Sequence, residues 1–133
     1  MMSTNRSRWA IGVVLFLALC ASLNARGVWT YLGEAHVDGM ADHDSIRVGR
    51  SAGVYRAIQL RISGGAINFD RVIVRYGNGT QEEISIRSRI PDGGQTRVID
   101  LPGARRIIES LDLWYGKDKW EKRPKVSLYG LRD

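Results

Sequence analysis

Apolar side chains recur at every second position over most of this chain, and that spacing limits what it can fold into. Ile58, Leu60 and Ile62 alternate with Ala57, Gln59 and Arg61, and Val72, Val74 and Tyr76 with Arg71, Ile73 and Arg75. Ile84, Ile86 and Ile90 share a parity with Ser88, while Ser85, Arg87 and Arg89 take the other. Period two is the signature of β-strands with one face buried. Turn formers separate the runs: Ser63-Gly64-Gly65, Asn78-Gly79 and Pro91-Asp92-Gly93-Gly94. Asn-Gly between two alternating runs predicts a hairpin closed by a type I′ turn, because both residues tolerate positive φ. Eight strands are expected, at about 28–34, 44–48, 54–62, 67–76, 81–90, 96–101, 107–115 and 125–130. Residues 104–110 fit a short helix as well as a strand start. The alternation of Leu111, Leu113 and Tyr115 favours a strand from Ile107. Short strands at this spacing predict an all-β, mainly antiparallel sandwich, with a jelly roll among its forms.

The first twenty-five residues break the pattern. Arg6 and Arg8 precede an uncharged apolar run from Trp9 to Leu19, and small residues follow at Cys20, Ala21, Ser22 and Ala25. This is the three-part layout of a secretory signal, and the run is short for a membrane span. Cleavage is expected after Ala25, with Ser22 second; lipidation at Cys20 and an uncleaved anchor are the rival readings. A lipobox would need a small residue where Leu19 stands. Residues 1–25 are thus read as a signal peptide and 26–133 as one β-sandwich domain, secreted or periplasmic.

Composition narrows the chemistry. Removing Arg6 and Arg8 leaves 18 basic against 14 acidic residues, a net charge of about +4. That favours anionic surfaces weakly, and with export it argues against a nucleic-acid partner. The only cysteine, Cys20, lies in the leader. The exported domain therefore has no disulfide, thiol nucleophile or thiolate ligand, and its stability rests on packing and strand pairing.

Three groups of residues could bind something. All four lysines, Lys117, Lys119, Lys122 and Lys125, crowd into nine residues with Arg123 and Trp120. Trp flanked by Lys suits a lipid head group or a charged glycan; the plain alternative is a solvated loop. Arg61, Arg71, Arg75, Arg87 and Arg89 point away from the core by parity. If their strands are neighbours, they form one guanidinium face for an acidic polymer; the alternative is a wet face balanced by carboxylates. Trp114 faces outward if Tyr115 packs with Leu111 and Leu113, leaving an indole to stack on a sugar ring or to cover a neighbouring arginine.

Catalytic signals are weak. Asp38, Asp42 and Asp44, with His36 and His43, could hold calcium or zinc, but no metal motif's spacing is matched and turn formation explains these residues as well. No nucleophile elbow, zinc-protease motif or phosphate loop is present, and nothing in the glutamate spacing selects a glycosidase pair.

Trp29-Thr30-Tyr31-Leu32-Gly33, Asp42-His43-Asp44-Ser45-Ile46-Arg47-Val48, Tyr76-Gly77-Asn78-Gly79 and Val98-Ile99-Asp100-Leu101-Pro102-Gly103, with Arg105 and Arg106, resemble the DUF2541-like group of small exported bacterial β-sandwich proteins of unknown function. The resemblance covers about residues 28–131. It implies a bacterial periplasmic or cell-surface protein and brings no catalytic residue. Physically, Asp42, Asp44 and Asp100 flank strands and are expected to pair with Arg47, Arg105 or Arg106. The expected function is a non-enzymatic binding module without cofactor or metal, whose partner is an anionic envelope glycan or lipid surface. An envelope assembly protein meeting a protein partner is the alternative, and a carboxylate- or metal-dependent hydrolase a weaker one.

Overall fold

The computed structural model describes residues 27–37, 43–48, 53–116 and 123–132. Residues 1–26, 38–42, 49–52, 117–122 and 133 lie outside the described residues. Eight strands occur: β1 (Val28–His36), β2 (His43–Arg47), β3 (Ala57–Ser63), β4 (Ile67–Tyr76), β5 (Gln81–Ile90), β6 (Ile99–Asp100), β7 (Ile108–Tyr115) and β8 (Lys125–Arg132). No helix occurs among the described residues. One four-stranded sheet has the order β1-β8-β3-β6 and the other β2-β7-β4-β5, and every pairing is antiparallel. First pairs with last, second with seventh, third with sixth and fourth with fifth, and successive pairs alternate between sheets. That nesting is the jelly roll.

The predicted parity governs the core. Ile58, Leu60, Val72, Val74, Leu111, Leu113, Val126 and Leu128 are all completely buried between the sheets. Tyr115 joins them and Trp114 turns outward, as expected from their adjacency. The sixth strand is shorter than expected, although Gly93–Thr96 still runs beside β3 through Ile62 N–Gly94 O, Gly93 N–Ile62 O and Thr96 N–Leu60 O bonds, each 2.9 Å.

The Asn78-Gly79 turn closes the β4–β5 hairpin but is not type I′. Gly79 alone has positive φ (86°), and its N–H donates to Tyr76 O at 3.1 Å. Tyr76 N–H donates to Thr80 O at 2.9 Å, so the loop has three residues, a type I turn followed by a left-handed glycine. The Asn78 carboxamide oxygen accepts from Thr80 N (3.1 Å) and Thr80 Oγ1 (2.6 Å), which favours this longer loop.

The register is irregular at three places, one in β1 and two in β4, the second of these between Arg75 and Tyr76 against β7. In β1 the register slips between Tyr31 and Gly33 against β8. Gly33 (φ 154°) approaches β2 so closely that a Cβ would stand 2.9 Å from Ile46 Cγ2. In β4 it slips between Phe69 and Arg71 against both neighbours, and opposite it Arg87 has φ 42°. Bulges of this kind re-aim side chains.

At the centre of the first sheet, β8 passes under the Tyr55 ring at Gly130. A Cβ there would lie 2.6 Å from Tyr55 Cδ1 and 2.9 Å from Leu32 Cδ1. Gly130→Ala is therefore expected to cost about 2 kcal/mol by overpacking, despite alanine's lower chain entropy. Urea unfolding should show a lower midpoint at unchanged slope; an unchanged midpoint would show that the ring can move aside.

Candidate functional site

The outer face of the first sheet carries an aromatic cluster. Tyr31 on β1 lies opposite Tyr129 on β8, which in turn lies opposite Gln59 on β3. The two tyrosine rings meet edge to face at 5.7 Å between centroids. Trp29 precedes Tyr31 by two residues on the same strand, about 7 Å along it. Arg61 lies with Cζ 3.8 Å from the Tyr129 ring centroid and 5.8 Å from that of Trp29. Its Nε donates to Gln59 Oε1 at 3.3 Å, and Gln59 Nε2 donates to Thr96 O at 3.1 Å. Tyr31 remains half exposed, at 49%.

The β1 bulge extends this face. Strict alternation from Trp29 and Tyr31 would turn Glu34 into the core, but the slip brings it outward opposite Ser127, in the same row as Arg61. Tyr31 OH donates to Glu34 Oε1 at 2.6 Å, and His36 Nε2 lies 3.1 Å from Glu34 Oε2. Tyr31's hydrogen bond holds the Glu34 carboxyl below its ordinary range, helped by the charge of Lys125, and burial opposes it. The same bond raises the Tyr31 phenol, which stays a donor. The face thus offers aromatic surface, a guanidinium and a carboxylate side by side, with the buried Gln59 carboxamide bracing Arg61 from below.

The outer face of the second sheet is an ion-paired surface. Ser45 Oγ donates to Asp112 Oδ1 at 2.7 Å, and Arg75 Nε donates to Asp112 Oδ2 at 2.9 Å. Arg75 also reaches Gln81 Oε1 at 2.8 Å, and Arg71 pairs with Glu83. Burial pushes the Asp112 carboxyl up, but the Ser45 and Arg75 hydrogen bonds and the Arg75 charge outweigh it and hold the pKa down. Trp114 stacks on His43 (centroids 4.4 Å apart, 24° between planes), and Arg71 lies 4.5 Å from its ring. The indole therefore covers an arginine and an imidazole, the plain alternative to a free sugar platform.

The five arginines do not share a face. Arg61 belongs to the first sheet, whereas Arg71, Arg75, Arg87 and Arg89 belong to the second, because β3 and β4 are consecutive strands that cross between layers. Within the second sheet Arg71 and Arg75 are paired with carboxylates, and Arg87 and Arg89 sit on the exposed edge strand β5. Lys117, Lys119, Trp120 and Lys122 lie outside the described residues. Arg123 is exposed, and Lys125 stands on the first sheet's outer face between His36 and Ser63. Asp38 and Asp42 also lie outside the described residues. Asp44 Oδ2 accepts the Tyr115 hydroxyl at 2.9 Å, and Arg106 donates to Pro102 O and Thr80 Oγ1, contacts other than the expected Asp–Arg pairing. Among the described residues no three His, Cys, Asp or Glu side chains come close enough to hold a metal ion.

A family described as a domain of unknown function (DUF2541) matches residues 10–130. The chain belongs to that family. No curated protein matches it. Among solved structures the fold is similar to one described as "Structural and functional characterization of Pseudomonas aeruginosa AlgX", with a TM-score of 0.52 and 13% identity. The likeness covers 79% of this chain but only 27% of that one, and at such identity it concerns the fold alone.

Asp112 provides a test of the second face. With its folded pKa below the ordinary 3.8, its charge stabilises the fold above that value, and the contribution is lost as pH falls through the folded pKa. Asp112→Asn is expected to cost about 2 kcal/mol at neutral pH and to flatten the acid limb of stability against pH. Unfolding curves recorded between neutral and acid pH check both; parallel acid limbs would remove Asp112 from the account.

Proposed function

We propose that this chain is an exported, non-catalytic module that binds an acidic glycan of the bacterial envelope. The observation that carries the reading is the outer face of the first sheet, where Trp29, Tyr31 and Tyr129 gather around Arg61. Sugar rings expose flat C–H faces that pack on aromatic rings, and their hydroxyls need donors and acceptors at the rim. The exposed Glu34, His36 and Tyr31 hydroxyl stand at that rim. Arg61 lies with Cζ 3.8 Å over the Tyr129 ring, and a guanidinium fork held there suits a uronate or similar carboxylate. The leader-like start of the chain supports export. The aromatic face replaces the five-arginine face as the docking surface, and it includes Arg61 from that set.

Binding of the full chain to polygalacturonate and to uncharged dextran, followed by affinity electrophoresis, tests this. Trp29→Ala and Tyr31→Ala are each expected to weaken retention in polygalacturonate several-fold, by analogy with aromatic–ring stacking worth about 1 kcal/mol or more per ring. Arg61→Gln should abolish the preference for the acidic polymer, and salt of about 0.5 M should do the same to the wild type. Wild-type mobility unaffected by either polymer would refute the proposal. Salt-insensitive capture of one envelope protein, lost in Tyr31→Ala, would instead favour a protein partner at the same face.

A further inference from the structure

The bulge in β1 sets opposite charges on one line of the first sheet's outer face. Arg61 on β3 is paired with Ser127 on β8, and Ser127 with Glu34 on β1. Glu34 and Arg61 therefore stand two strand spacings apart, about 10 Å between their backbones, with the small Ser127 side chain's position between them. On one side of this line come the rings, Tyr31 opposite Tyr129 and then Trp29 two residues further along β1. On the other side His36 lies opposite Lys125, and Lys125 opposite Ser63. Both charges of the line are held in place. Arg61 has Cζ 3.8 Å from the Tyr129 ring centroid and donates from Nε to Gln59 Oε1. Glu34 accepts the Tyr31 hydroxyl at Oε1 (2.6 Å), and its Oε2 lies 3.1 Å from His36 Nε2. The Tyr31 hydrogen bond and the charge of Lys125 hold the carboxyl below its ordinary range, so it is an anion at neutral pH.

A glycan laid across this line meets a cation at one end and an anion at the other. A uronate carboxylate is attracted to Arg61. A second carboxylate, on the neighbouring sugar, is brought against Glu34 and repelled. A neutral sugar in that place does the opposite, because its hydroxyls donate charge-assisted hydrogen bonds to the Glu34 carboxylate. Tyr31, half exposed and with its hydroxyl on Glu34, offers its ring to the C–H face of a sugar beside that carboxylate. Lys125 lies on the side of the line away from the rings, where it keeps Glu34 charged. We propose that this face selects an acidic glycan in which a uronate alternates with a neutral sugar, and that Glu34 is the residue that discriminates against a polymer of uronates alone. Selectivity of this kind comes from a repulsive group placed beside an attractive one. The inference rests on the reading of this face as an acidic-glycan site and adds to it the order of charge along the bound chain.

The test is affinity electrophoresis of the full chain in polygalacturonate, a polymer of uronates alone, and in hyaluronan, where glucuronate alternates with neutral N-acetylglucosamine, at equal uronate concentration and ionic strength. The wild type should be retained several-fold more strongly by hyaluronan, although polygalacturonate is the more densely charged. Glu34→Gln should strengthen retention by polygalacturonate several-fold without a matching gain in hyaluronan, so that the preference disappears, and Glu34→Lys should reverse it. Glu34 is exposed, and both variants should melt as the wild type does. Glu109→Gln makes the same change of charge at an exposed position on β7 of the second sheet and should leave the preference as it was. Equal wild-type retention in the two polymers, a preference for polygalacturonate, or a preference that survives Glu34→Gln or is lost equally in Glu109→Gln would overturn this inference and leave the acidic-glycan reading standing. Retention by neither polymer would sink that reading, and this one with it.

Discussion

The pairing of the first strand with the last holds this fold together. β8 lies between β1 and β3, so the first sheet has no continuous ladder without it. Its inward residues Val126 and Leu128 are completely buried. Its outward Tyr129 is the ring against which Tyr31 and Arg61 rest. Its final residue, Arg132, lines a cleft at the basic end of the sandwich with Arg56 and Arg105. Core, aromatic face and basic end therefore all depend on a contact between segments a whole domain apart in sequence. Such long-range closure carries a large loop entropy that has to be met before the sheet stabilises itself, and it slows folding.

Charge is handled differently on the two outer faces. On the second sheet each of Arg71 and Arg75 is met by a carboxylate, and Asp112 gathers two donors, so the surface is internally satisfied. On the first sheet Arg61 is held against aromatic rings and, among the described residues, donates to the carboxamide oxygen of Gln59. A guanidinium supported by ring faces is weakly solvated and keeps N–H edges for a ligand, while one paired with a carboxylate has its charge already met. This difference, more than the total of basic residues, is why the first face and not the second is proposed to bind.

Most of the architecture was legible because period two is a direct readout of a two-layer sandwich. Ile58–Ile62, Val72–Tyr76 and Leu111–Tyr115 bury the predicted side chains, and Trp114 turns outward. What parity could not show was which sheet a strand joins. Arg61 and Arg71 look like neighbours in the chain, yet the crossover from β3 to β4 puts them on opposite sides of the molecule. The bulges mark the apolar pattern only by a change of parity, as from Leu32 to Ala35 and Val37 around β1, which by itself looks like the end of a strand. Gly33 was the available clue, a glycine inside a strand where a backbone comes close. The aromatic face was partly visible in Trp29 and Tyr31 at i and i+2. Tyr129 could be joined to them only by knowing that the chain's ends meet. The Asn78-Gly79 pair marked its hairpin, but the Asn78 side chain, by binding Thr80, selected a longer loop than the pair usually forms.

The irregularity at Gly33 also acts as a lock. Were β1 to slide by a single residue along β8, Trp29 and Tyr31 would be driven into the apolar interior and Leu32 expelled, so mispairing is heavily penalised. A kinked border strand is likewise a poor template for a passing chain, and a protein crowded beside its own copies gains protection from sheet-to-sheet polymerisation. The same small distortion that brings Glu34 to the outer face thereby guards the border of the sheet.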